Sequence, residues 1–189
     1  MNAFVFPGQG SQHLGMGADL YNSNQKAQQI FEDANEILGF KITDIMFGED
    51  QEALKQTNIT QPAIYIHSMV IALIADKFFK PNAVAGHSLG EFTALAAANY
   101  ISFEDGLRLV QKRAIAMQEA CEKNESSMAA IVGLDDNIVE DVCSQSKETL
   151  VAANYNCPGQ IVISGTINAV NLACNKLTEL GARRALVLP

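Results

Sequence analysis

The pentapeptide Gly86-His87-Ser88-Leu89-Gly90 constrains this chain more than any other stretch. It follows the short apolar run Ala83-Val84-Ala85, which reads as a strand. It leads at once into Glu91-Phe92-Thr93-Ala94-Leu95-Ala96-Ala97-Ala98, which reads as a helix over 89–99. In that setting G-x-S-x-G describes a very tight strand-to-helix turn. The glycines two residues either side allow close backbone approach, and the serine between them is presented, strained, above the sheet. The helix N-terminus then points its free N–H groups at the place where an oxyanion would form. The five residues alone fit a glycine-rich connecting loop equally well. Strand and helix in register favour Ser88 as a nucleophile.

A serine nucleophile needs a base, and the three histidines are poor candidates. His87 neighbours Ser88, and adjacent side chains on such an element diverge, so packing or loop ordering suits it better. His67 falls within an apolar helix and His13 within a glycine-rich loop, and both read as structural.

Around the turn, strands and helices alternate. A buried strand at Ala3–Phe6 precedes a loop with glycine at 8, 10, 15 and 17. Gln25–Leu38 carries Ile30, Phe31, Ala34, Ile37 and Leu38 on one helical stripe. A second helix, capped by Thr60 or its neighbour and running to Phe78, is apolar nearly all round and so reads as central. Ser102 and Asp105 form a capping box for a long helix ending near Glu122. Beyond residue 125 the order becomes strand 128–132, helix 135–146, strand 150–154, strand 160–164, helix 167–180 and strand 184–188. That β-α-β-β-α-β order is the split unit of a ferredoxin-like sandwich. The expected division is therefore 1–125 around the serine turn and 126–189 as the second subdomain.

Composition narrows the function. Thirteen basic against twenty-one acidic residues give a net charge of −8, with no basic stripe to neutralise nucleic-acid phosphates. No apolar run is expected to reach bilayer length, because His67, Ser68 and Asp76 break the richest stretch, and no signal peptide is evident, so a cytoplasmic location is expected. Cys121, Cys143, Cys157 and Cys174 show neither a C-x-x-C pair nor metal-ligand spacing. They are expected to stay reduced, with no metal site.

Three segments together resemble malonyl-CoA:acyl carrier protein transacylases. They are Phe6-Pro7-Gly8-Gln9-Gly10-Ser11-Gln12, Gly86-His87-Ser88-Leu89-Gly90-Glu91 and Asn154-Tyr155-Asn156-Cys157-Pro158-Gly159-Gln160, in the family's order. The resemblance implies an α/β fold, with an α/β-hydrolase-like large subdomain, incomplete here, and a ferredoxin-like small one. It implies a ping-pong transfer in fatty acid synthesis, in which Ser88 takes malonyl from coenzyme A and passes it to the phosphopantetheine thiol of acyl carrier protein. No cofactor is needed beyond the thioester substrate and the carrier's own prosthetic arm. The family's oxyanion donors match the backbone N–H groups of Gln9 and Leu89. Its carboxylate-binding arginine matches Arg113, and Asn154 and Gln160 match positions near its thioester cleft.

Helical spacing bears on Arg113 independently, since Val110, Arg113, Met117 and Ala120 share one face. A guanidinium in that row wants an anion, and spacing alone leaves a snorkelling arginine or an internal acid equally open. The family's catalytic histidine would follow just past Pro189, so the chain is expected to be a fragment, weak or inert alone. A serine thioesterase or esterase, the acyltransferase domain of a polyketide synthase, and a non-catalytic carrier-docking module are the alternatives.

Overall fold

A computed structural model describes residues 1–123 and 125–188; Asn124, beside the expected boundary, and Pro189, in the expected second subdomain, lie outside the described residues. The chain divides into two compact units, Met1–Glu119 and Ala120–Pro189.

In the first unit, β1 (Ala3–Phe6) and β2 (Ala83–Gly86) pair in parallel, with Phe6 opposite Gly86. Between them come α1 (Ala18–Ser23), α2 (Gln25–Leu38), α3 (Ile42–Phe47), α4 (Gln51–Lys55) and α5 (Thr57–Ala75). α2 starts where the Asn24 side chain accepts from the Ala27 N–H at 3.1 Å and stops at Gly39, whose φ of 77° no β-carbon favours. It buries Ala27, Phe31, Ala34 and Leu38, with Ile30 and Ile37 packed at the margins of the stripe.

α5 is buried on almost every side, through Ala63, Ile64, Tyr65, Ile66, Met69 and Val70. It begins three residues before the expected cap. Gln56 occupies the cap position without a side-chain bond, and Thr60 instead donates its hydroxyl to the Leu54 carbonyl at 2.5 Å, tying α5 to α4. With the 3-10 turn at Asp76–Phe78, the 22 residues of Thr57–Phe78 do reach the length and apolarity of a bilayer span, contrary to the sequence expectation. Yet 61% of the most apolar window is buried within the protein, as a core helix must be.

After β2 come α6 (Gly90–Ala97) and α7 (Phe103–Lys123). Ser102 caps α7, accepting from the Asp105 N–H at 2.9 Å and donating its hydroxyl to Asp105 Oδ2 at 2.7 Å. On α6, Thr93 is wholly buried, and among the described residues its hydroxyl has no partner. Thr93→Val keeps the shape and removes the orphaned group, so it should stabilise the protein by about 1 kcal/mol, read from the urea unfolding midpoint.

The second unit holds β3 (Ser126–Val132), α8 (Asp136–Ser144), β4 (Leu150–Cys157), β5 (Gln160–Thr166), α9 (Ile167–Glu179) and β6 (Arg184–Val187). The strands form one antiparallel sheet in the order β4-β5-β3-β6, which is the ferredoxin-like topology. Alternate residues Ala129, Ile131, Ile161 and Ile163 pack against Val139, Val142 and Cys143 of α8 and Val170, Ala173, Cys174 and Leu177 of α9. β4 runs three residues beyond its expected end, because the hairpin continues pairing through two register shifts as far as Cys157 opposite Gln160. β5 runs two beyond, where Gly165 and Thr166 stay paired with Ser127 and Ser126 of β3. All four cysteines are free thiols, and burial raises the pKa of Cys143 and Cys174.

Candidate active site

The turn at residues 86–90 is dictated by contact distances. A β-carbon on Gly86 would lie 1.9 Å from the carbonyl carbon and oxygen of Gly90 and 2.2 Å from the Glu91 nitrogen. One on Gly90 would lie 2.3 Å from the Phe6 carbonyl oxygen, and one on Gly8 2.7 Å from that of His87. The end of β1 and the turn after β2 therefore touch backbone to backbone, joined by a bond from the His87 N–H to the Phe6 carbonyl at 3.0 Å. Gly86→Ala should cost about 4 kcal/mol or more, since no flexible side chain can yield, and should appear as loss of soluble folded protein.

Ser88 stands at the corner with φ 55°, a left-handed conformation that costs a residue with a β-carbon roughly 1–2 kcal/mol. Its side chain is exposed while Leu89 behind it is fully buried. Past Leu89, the turn spends three N–H groups on itself: Gly90 on the His87 carbonyl, Glu91 on that of Ser88, Phe92 on that of Leu89. The N–H groups of Leu89 and Gln9 donate to no partner among the described residues.

Arg113 reaches this corner from α7. Its Nη2 donates to Ser88 Oγ at 2.8 Å and its Nη1 to Gln61 Oε1 at 2.5 Å. Gln61 Nε2 in turn lies 3.4 Å from Gln9 Oε1 and 3.3 Å from Met117 Sδ, and Gln9 Nε2 lies 3.4 Å from Thr57 Oγ1. Ser88, Arg113, Gln61 and Gln9 thus form a connected polar chain, in which the sequence reading assigned Gln61 no part. No sequence signal singled it out, because Gln61 is one of several polar residues of α5, with Asn58, Thr60, His67 and Ser68, and its full burial shows only in the structure.

Of the alternatives left open for Arg113, neither the internal acid nor escape to water is what occurs. The ion pairs among the described residues join Lys55 to Glu52 and Arg108 to Glu104, and Arg113 has no carboxylate partner among them. Burial lowers its pKa from the ordinary arginine value, and the Glu91 carboxylate acts in the opposite direction. The result is a half-buried cation beside a serine hydroxyl, with no carboxylate in direct ion-pair contact among the described residues.

His13 and His67 pack edge to face, ring centroids 6.2 Å apart. Burial first, and His13 second, lower the His67 pKa, which favours a neutral packed ring there. In the second unit, Asn154 sits on β4 opposite Val162, and Gln160 opens β5 with Oε1 4.0 Å from Cys157 Sγ. Both are partly exposed. Among the described residues no three histidine, cysteine or acidic side chains gather where they could hold a metal ion.

A strained serine at a strand-to-helix corner, hydrogen-bonded by a guanidinium, is an arrangement suited to acyl transfer. The chain belongs to the acyl transferase domain family, whose model matches residues 3–187. It is 42% identical over 189 residues to a malonyl CoA-acyl carrier protein transacylase from Staphylococcus aureus (strain MRSA252) and 43% identical over 190 residues to one from Bacillus subtilis (strain 168). These alignments take in 98% of this chain and 61% and 60% of the two relatives, so the chain spans about three fifths of their length. Among solved structures, an acyl-carrier-protein S-malonyltransferase from Bartonella henselae matches with a TM-score of 0.94 and 41% identity, over all of this chain and 63% of that one. A malonyl-transacylase in complex with its type II PKS acyl-carrier protein matches with a TM-score of 0.92 and 38% identity, over 98% of this chain and 62% of that one. The fold is thus α/β-hydrolase-like in the unit bearing the serine turn and ferredoxin-like in the other.

Proposed function

We propose that the whole protein is a malonyl-CoA:acyl carrier protein S-malonyltransferase serving fatty acid synthesis, with residues 1–125 as its nucleophile-bearing subdomain and 126–189 as its ferredoxin-like one. The observation that carries this reading is the 2.8 Å contact between Ser88 Oγ and an Arg113 guanidinium that has no carboxylate partner among the described residues. A fixed cation beside the nucleophile suits an acyl group bearing its own carboxylate, which malonyl has and acetyl lacks.

In the first half-reaction Ser88 Oγ attacks the thioester carbonyl while its proton passes to a general base. The carbonyl oxygen takes negative charge, and the N–H groups of Gln9 and Leu89 are the donors proposed to stabilise it. The C–S bond breaks, coenzyme A leaves with a proton, and an ester on Ser88 remains. The phosphopantetheine thiol of acyl carrier protein then repeats the sequence in reverse, forming a thioester and restoring the hydroxyl. Arg113 holds the distal carboxylate in both halves through its planar fork. Asn154 and Gln160 are proposed to contact the thioester. No cofactor is required, and four free thiols with α5 as a buried core helix support a cytoplasmic location.

The test is the intact mass of the whole protein after exposure to malonyl-CoA, followed by addition of holo acyl carrier protein. A malonyl adduct that moves to the carrier supports the assignment. A protein that forms no adduct, or that releases free malonate as fast without the carrier as with it, is not this transferase.

A further inference from the structure

Arg113 is aimed by a neutral group, and the neutrality matters. Gln61 is fully buried on α5, and its Oε1 accepts from Arg113 Nη1 at 2.5 Å, while Nη2 is left facing Ser88. An amide oxygen can accept that hydrogen without cancelling the guanidinium charge, whereas a carboxylate in the same place would form an ion pair and satisfy it. The amide's other end is engaged too. Its Nε2 points to Gln9 Oε1 and Met117 Sδ, so the side chain is held at both ends and has little freedom to swing away. Through Gln9 the same amide touches the loop whose backbone N–H faces the reacting carbonyl in the proposed mechanism.

We infer that Gln61 is the positioning residue that fixes acyl selectivity, holding the Arg113 fork towards Ser88 while leaving its charge unspent for the substrate's carboxylate. This rests on the malonyl-transfer reading above and adds to it the residue that keeps the cation available. Gln61 touches no reacting atom; it acts through Arg113.

The experiment uses the whole protein and two variants, Gln61→Glu and Gln61→Met, each competed between malonyl-CoA and acetyl-CoA. A neutral sulfonyl fluoride that labels Ser88 independently of Arg113 serves as the control. In Gln61→Glu the malonyl-to-acetyl preference should fall roughly 100-fold, the worth of about one to two charge-assisted hydrogen bonds, with labelling by the neutral reagent retained. In Gln61→Met, which removes the acceptor and adds no charge, KM for malonyl-CoA should rise roughly 10-fold with kcat little changed. A preference within about twofold of wild type in both variants would overturn the inference, since one lost charge-assisted bond exceeds that. So would parallel loss of neutral labelling and malonyl transfer, which marks a merely structural glutamine. A wild-type protein that never forms a malonyl ester on Ser88 overturns the functional reading itself, and is told apart by its failure before any variant is compared.

Discussion

Ser88→Ala should leave the whole protein without a malonyl adduct and slow transfer to the carrier by at least about a thousandfold, the scale on which removal of a catalytic serine is felt. Intact mass spectrometry reads the first effect and a carrier-malonylation assay the second. An adduct persisting in this variant would place the nucleophile elsewhere. The corner adds a second expectation. Ser88 has φ 55°, and alanine inherits that strain because it keeps the β-carbon. Ser88→Gly relieves it, so the glycine variant should be equally inactive yet more stable than Ser88→Ala by about 1 kcal/mol. Loss of activity with gain of stability at one position would tie the strain to the reaction rather than to the fold.

Arg113→Ala should lower kcat/KM for malonyl-CoA by roughly a thousandfold, through loss of a bidentate charge-assisted contact, while leaving acetyl-CoA unchanged or improved. Acetyl leaves a half-buried guanidinium without an anion in the wild type, and that penalty disappears with the side chain. Arg113→Lys should recover only part of the loss, because an ammonium keeps the charge and loses the fork. Competition between the two thioesters measures both. If the malonyl preference survives Arg113→Ala, the 2.8 Å contact with Ser88 has no part in recognising the substrate.

Much of this was legible in order of residues because it is local. The serine turn could be read from glycines at 86 and 90, since a β-carbon at either meets backbone within 2.3 Å. α2 and α9 could be read from apolar spacing, as each presents one stripe to a core. The ferredoxin-like pattern followed from the sequence of elements, because strand and helix lengths carry it. By contrast α1, α3 and α4, of five or six residues, are shorter than two turns and have no period to detect. The start of α5 was misplaced for a different reason. Thr60 has the chemistry of a cap, yet its hydroxyl found the Leu54 carbonyl, a partner that exists only once α4 is folded beside it.

The site divides along the same line. Ser88 with its flanking glycines was determined by the sequence itself, because a turn that tight admits few residue types. Gln61 was not, because its meaning lies in a bond to Arg113 fifty-two positions away. A polar side chain in an apolar helix acquires a role only when tertiary packing supplies its partner. The sequence decided where the corner is; only the folded protein decided which amide steadies the cation that faces it.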